Sequence, residues 1–168
     1  MRARTTPLGE LLAARIQRHG PITFADYMEA CLYHPQHGYY SKSQRRPRRD
    51  YFTSVDVSAI FGRLLARQFE EMWTQIDRPE PFLLIEAGAG DGALAKDILD
   101  SIAQSSSEFY LAVRYVAVER AEARCRKHGK LLEEHAASGK FESSAEMPEQ
   151  IPVGCVFSNE LVDALPVH

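Results

Sequence analysis

Leu83-Leu84-Ile85-Glu86-Ala87-Gly88-Ala89-Gly90-Asp91-Gly92-Ala93-Leu94 decides the fold of this 168-residue chain. Phe82 to Ala87 is a short apolar run that ends in glycines, the pattern of a buried strand. Leu94, Ile98, Leu99 and Ile102 then recur at helical spacing. A strand, a glycine-rich turn and a helix N-terminus together set a ligand against backbone N–H groups at the carboxyl edge of a sheet. Glycine is required where φ is positive or where a Cβ would block the ligand. No Gly-Lys-Ser/Thr follows, so the turn is not a P-loop.

Working outward, Leu111 to Val118 reads as a second strand and Val153 to Phe157 as another. Between them, residues 120–137 are charged, with Cys125, Leu131, Leu132 and Ala136 as a weak helical stripe. Strands alternating with helices predict right-handed crossovers and a parallel sheet covered on both faces. Upstream the grammar is helical. Leu8, Leu11, Leu12 and Ile16 predict a helix over 8–19 that stops at Gly20-Pro21. Thr23 with Asp26 forms a capping box ahead of an apolar face of Phe24, Tyr27, Met28, Cys31 and Leu32. That helix ends before Pro35. The run Lys42–Arg49 holds five cationic side chains and no apolar one, a loop composition. From Ser58 to about Trp73, the residues Phe61, Leu64, Leu65, Phe69 and Met72 restore helical spacing. The fold class is therefore α/β and Rossmann-like. Residues 1–78 form a helical extension, and 79–168 form the N-terminal part of a sheet domain that is incomplete at its C-terminal side.

Composition excludes several classes. With 45% hydrophobic and 26% charged residues the chain is an ordinary globular protein. No apolar run reaches the ~18–20 residues of a membrane span. A net charge of -3 gives no global pull toward nucleic acid or anionic membrane. Met1-Arg2-Ala3-Arg4 leads into an amphipathic helix rather than an apolar signal core, which predicts a cytoplasmic location. Cys31, Cys125 and Cys155 are widely and irregularly spaced, so reduced thiols are expected and no zinc ribbon.

Three readings of the turn compete. Gly88, Gly90 and Ala93 satisfy the dinucleotide fingerprint G-x-G-x-x-G/A. A purely structural glycine turn would look the same. Charge favours a third reading. Glu86 lies two residues before the first glycine, Asp91 lies inside the turn, and no cation follows until Lys96. Pyrophosphate would face two carboxylates, whereas S-adenosylmethionine brings an ammonium and a sulfonium that an acidic turn attracts. Glu119, closing the second strand, can accept hydrogen bonds from both ribose hydroxyls of an adenosine. The bland alternative is a solvated charge at a strand end.

Outside the glycine turn, several blocks are similar to the MidA-type S-adenosylmethionine-dependent methyltransferases. They are Gly20-Pro21-Ile22-Thr23 with Tyr27-Met28, Leu32-Tyr33-His34-Pro35 with Gly38-Tyr39-Tyr40, and Phe52-Thr53-Ser54 with Phe61-Gly62. The last is Ser158-Asn159-Glu160-Leu161-Val162-Asp163-Ala164-Leu165-Pro166-Val167, which resembles the family's Asn-Glu…Asp-Ala-x-Pro segment. The blocks keep the family's order from about residue 8 to the end. Two departures stand out: Asp50-Tyr51-Phe52 where the family reads Gly-Asp-Phe, and Val55-Asp56 where it reads Pro-Glu. Family members also continue well past this point, so the resemblance covers their N-terminal half.

The resemblance implies a protein arginine methyltransferase making symmetric dimethylarginine, with a role tied to respiratory complex I assembly and a complex I subunit as partner. S-adenosyl-L-methionine is the expected cofactor. Its candidate binding residues are Glu86, Gly88, Gly90, Gly92, Glu119 and Asn159. Glu160 and Asp163 are the candidate catalytic pair: a guanidinium arrives charged and poorly nucleophilic, and a carboxylate can align it and stabilise developing charge. Against this, Asp163 could simply cap a turn and Glu160 accept a structural hydrogen bond. A catalytically silent module of the same fold and an NAD-type oxidoreductase are the alternative functions. His34 and His37 have H-x-x-H spacing, but Pro35 and the turn at Gly38 oppose a helical metal site, so no metal is expected. Tyr39 and Tyr40 fit an active-site wall or core packing equally. A bared strand edge at the end of the sheet predicts oligomerisation or completion by another segment.

Overall fold

The computed structural model describes residues 5–41 and 58–167. The Lys42–Arg49 run and the blocks Asp50-Tyr51-Phe52, Thr53-Ser54 and Val55-Asp56 lie outside them. Among the described residues no helix is long and apolar enough to cross a membrane.

The described residues fall into two compact units, 5–41 with 160–167, and 58–159. In the first unit, helix α1 (Pro7–His19) is capped by Thr6, whose hydroxyl accepts from the Gly9 N–H, and it ends at Gly20 with φ 87°. Helix α2 (Phe24–Tyr33) carries the expected capping box: the Thr23 hydroxyl accepts from the Asp26 N–H, and the Asp26 carboxylate accepts from the Thr23 N–H. Its apolar face is less buried than its pattern predicts, with Phe24 63% exposed and only Ala25 fully inside. The Tyr33 hydroxyl donates to the Ala164 carbonyl at 2.8 Å, tying α2 to the 3-10 turn Val162–Ala164. Tyr40 stacks on Tyr33 while Tyr39, edge-on to Tyr40, is 57% exposed.

The second unit is built on four parallel strands: β1 (Phe82–Ala87), β2 (Val113–Val118), β3 (Phe141–Ser144) and β4 (Gly154–Ser158), in the order β3-β2-β1-β4. Alternation within the strands sorts their side chains by face. Phe82, Leu84, Val113, Tyr115, Ala117 and Phe157 join the main core. The two longest helices of this unit contribute most to that core. Helix α3 (Ile60–Gln75) supplies Ala66, Phe69 and Trp73, and α4 (Ala93–Ser105) supplies Leu94, Ala95, Ile98, Leu99 and Ile102. The short α5 (Ser107–Ala112) adds Phe109, and Leu132 comes from the junction of α6 (Glu122–Leu131) and α7 (Glu133–Ala137).

The opposite face is thinner: Ile85, Val116 and Val118, with Leu83 and Ile151 against them. Val156 on β4 is 50% exposed. Within this unit, the expectation of helices on both faces is thus corrected. The β1-to-β2 and β2-to-β3 crossovers run the same way and lay their helices on one face. The return from β3 to β4 is made by residues 145–153 without a helix.

Two further differences from the sequence expectations concern strand ends. Leu111 and Ala112 finish α5 rather than start β2, because the Ser106 hydroxyl accepts from the Phe109 N–H and starts a helical turn there. The second is β3, Phe141–Ser144, a strand among residues 138–152, to which the sequence pattern assigns no element.

Candidate functional site

β2 and β4 lie on opposite sides of β1, and the chain steps outward from β1 to β2 to β3 before crossing back to β4. Order therefore reverses beside β1, and ligands in open α/β sheets bind outside the carboxyl ends of the strands at such a point. The glycine turn leaves β1 there. Gly88, Gly90 and Gly92 all have positive φ (76°, 58° and 84°), the region that disfavours any side chain. A Cβ on Gly90 would meet no protein atom within 4 Å, so the turn presents bare backbone to open space.

Glu119 follows β2, only 9% exposed. Its Oε2 accepts from the Gly90 N–H at 3.0 Å and from Arg124 Nη1 at 3.4 Å, and its Oε1 accepts from the Ala121 N–H at 2.8 Å. This is not a solvated charge. It is a carboxylate fastened to the turn, with acceptor capacity left on Oε1 and, if Arg124 moves aside, on Oε2. The Gly88 and Ala89 N–H groups both donate to the Val118 carbonyl, and the Gly92 N–H to Ala89.

Those bonds change the argument for the ligand. Charge alone discriminates less than the sequence suggests: Asp91 lies 3.1 Å from Lys127 and 3.9 Å from Arg124, and Arg124 also pairs with Glu119. Glu86 is 3% exposed, and burial lifts its pKa to about 7 against the pull of the Tyr115 hydrogen bond, with Glu119 nearby raising it further. Hydrogen bonding narrows the donors as well: the N–H groups of Gly88, Ala89, Gly90 and Gly92 are already spent within the protein, so an anion at the turn is left with the first N–H groups of α4.

Asn159 follows Ser158, the register partner of Ala87, and so sits at the same carboxyl edge as the glycine turn. Glu160 and Asp163 belong to the first unit, Glu160 just before the 3-10 turn and Asp163 within it; both are exposed. Glu160 has a left-handed backbone, φ 50°, unusual outside glycine. His34 and His37 stack on one another, and His34 Nδ1 accepts from the Gln36 and His37 N–H groups, which occupies that nitrogen without a metal. Cys31, Cys125 and Cys155 are free thiols.

Sequence reasoning missed the two buried histidines. His128 Nε2 lies 2.9 Å from the Gly90 carbonyl, and His135 bridges Tyr110 and Asp100 at 2.7 and 2.9 Å. The available signal was the spacing of His128, Leu132 and His135, four and three residues apart on one helical face.

A parallel α/β sheet with this turn at its reversal point and an acidic residue closing β2 is the architecture of class I methyltransferases. The chain belongs to the family described as "Putative S-adenosyl-L-methionine-dependent methyltransferase", whose profile matches residues 64–168. A solved structure from Burkholderia thailandensis, described as a "likely methyl transferase" bound to S-adenosyl-homocysteine, superposes with a TM-score of 0.76 at 31% identity, over 95% of this chain and 42% of that one. Among curated proteins, "Protein arginine methyltransferase NDUFAF7 homolog, mitochondrial" of Drosophila melanogaster is 33% identical over 96% of this chain and 41% of its own length. The Homo sapiens "Protein arginine methyltransferase NDUFAF7, mitochondrial" is 38% identical over 61% of this chain and 23% of its own. The chain thus spans about two fifths of the length of the Burkholderia and Drosophila proteins. The MidA-type resemblance and the α/β fold stand. The cytoplasmic expectation does not: the curated relatives are named mitochondrial, and the lack of a signal-like start was an argument by elimination.

Proposed function

We propose that this chain carries the cofactor-binding part of a protein arginine methyltransferase. The observation that carries the reading is the Gly90–Glu119 pair: a side-chain-free turn at the sheet's reversal point, held by a carboxylate that closes β2. In this reading Gly88, Gly90, Gly92 and Glu119 hold the adenosine side of S-adenosylmethionine, and Asn159 lines the same edge. Glu86 supplies a carboxyl group beneath the turn. The cofactor supplies an electrophilic methyl group; what the protein adds is position. Glu160, with Asp163 three residues on, aligns the guanidinium and stabilises charge as its nitrogen is alkylated. The arginine belongs to a partner protein, a complex I subunit in the finer form of the proposal, with symmetric dimethylation as the product.

Calorimetric titration tests the first step. S-adenosylhomocysteine should bind and NAD should not. NAD binding alone would replace the proposal with an oxidoreductase, and binding of neither would leave a silent module of the same fold.

A further inference from the structure

Gly90 is held from both sides. Its N–H donates to Glu119 at 3.0 Å, and its carbonyl lies 2.9 Å from His128 Nε2. His128 sits on α6 with no exposed surface, its ring edge-on to Phe141. Its other nitrogen, Nδ1, is 2.9 Å from the Ser143 hydroxyl on β3. A carbonyl oxygen can only accept, so Nε2 carries a proton and donates to Gly90, while Nδ1 is hydrogen-bonded to the Ser143 hydroxyl, which can donate or accept. The same ring backs the next glycine: a Cβ built on Gly92 would come within 2.8 Å of His128 Cδ2. An apolar side chain would fill this interior space without needing partners, whereas a buried imidazole is costly unless both nitrogens are satisfied. What the histidine adds over a leucine is therefore the bond to the turn.

We infer that His128, oriented by Ser143, is a positioning residue that fixes the Gly90 peptide in its left-handed conformation and so preorganises the glycine turn for S-adenosylmethionine. The inference rests on the cofactor reading above. It assigns a role to a residue that touches no ligand. With Gly90 clamped by Glu119 and His128, the turn does not have to be ordered when the cofactor arrives, and the ordering cost is removed from the binding free energy.

The test uses this chain with His128→Leu, His128→Gln and Ser143→Ala. Glutamine places an amide N–H near the position of Nε2 and keeps the donor to Gly90; leucine removes it. His128→Leu should weaken S-adenosylhomocysteine binding at least ~10-fold and speed amide exchange at Gly90 and Gly92 by a similar factor, with β1 amides unchanged. His128→Gln should restore both to within ~3-fold, and Ser143→Ala should fall between. In the parent, imidazole nitrogen NMR should show Nε2 protonated. Unchanged exchange at Gly90 and Gly92 in His128→Leu would overturn the inference. So would equal losses in the leucine and glutamine variants, or a ring protonated at Nδ1 alone. A parent chain that binds no S-adenosylhomocysteine would instead defeat the cofactor reading, and the exchange measurement would still decide whether His128 holds the turn.

Discussion

The Tyr115 hydroxyl donates a 2.7 Å hydrogen bond to Glu86 Oε2, inside the protein and one residue pair below the glycine turn. Burial raises the Glu86 pKa from 4.5 to about 7, the Tyr115 bond opposes the rise and Glu119 adds to it. The folded protein therefore binds a proton that the unfolded chain releases in that interval. This contribution to stability is complete below pH 4.5 and declines as pH rises through about 7. Its full span is about 3 kcal/mol as an upper bound. Glu86→Gln keeps an acceptor for Tyr115 and cannot ionise. Denaturant unfolding from pH 5 to 8 should show the parent losing stability relative to Glu86→Gln as pH rises. A constant difference would mean that Glu86 is charged throughout.

Gly90 and Gly92 separate ligand access from packing. A Cβ on Gly90 meets nothing within 4 Å and suffers only its φ of 58°, a cost of about 1 kcal/mol. On Gly92 it meets the His128 ring at 2.8 Å as well as a φ of 84°, which together cost about 2–4 kcal/mol. Gly90→Ala should thus fold with a modestly lower Tm and lose S-adenosylhomocysteine binding, because its methyl fills ligand space. Gly92→Ala should lose stability first. Thermal melts beside calorimetry on both variants give the comparison, and full affinity in Gly90→Ala would remove the turn from the site.

Glu119 has a double duty that a ribose-binding carboxylate in open solvent would lack. Glu119→Ala strips acceptors from the Gly90 and Ala121 N–H groups and from Arg124, so it should lower Tm as well as affinity. Loss of charge-assisted bonds to the ribose weakens binding by roughly 10- to 100-fold. A variant with lower Tm but affinity within about twofold of the parent would leave Glu119 as a turn anchor and nothing more.

The sequence carried the parts of this site where one residue type has one physical use. Positive φ selects glycine, so the turn at Gly88 to Gly92 was legible, and the apolar run before it placed β1 to the residue. The capping box at Thr23 and Asp26 was legible for the same reason. β3 was not: Phe141-Glu142-Ser143-Ser144 has one apolar side chain, and only pairing with β2 makes it a strand. His128 and His135 were lost in a helix pair whose pattern is charged, because their burial depends on partners 15 to 38 residues away. The acidic residues at the turn point to the right cofactor, but they are less exposed as charges than their spacing suggests. Lys127 and Arg124 come from α6, which proximity in sequence does not reveal as neighbours of Asp91.

Glu160 carries the chemical proposal, and its backbone gives a reason to test it. A glutamate at φ 50° is held at a cost of about 1 kcal/mol that glycine or asparagine would avoid. Such strain persists where the surroundings fix it, and it is found preferentially at functional sites. Two substitutions separate conformation from charge. Glu160→Gly should relieve the strain and raise Tm slightly while removing the carboxylate. Glu160→Gln keeps the volume and the strained φ and removes only the charge. If the carboxylate stabilises the guanidinium as its nitrogen attacks, both variants should lose turnover on an arginine peptide by at least ~100-fold, or ~2.7 kcal/mol. S-adenosylhomocysteine affinity should barely move in either. The assay belongs in a protein of the relatives' full length, since this chain spans 41% of the Drosophila relative. Glu160→Gln turning over within a few-fold of the parent would end the catalytic assignment and leave Glu160 as a structural turn residue.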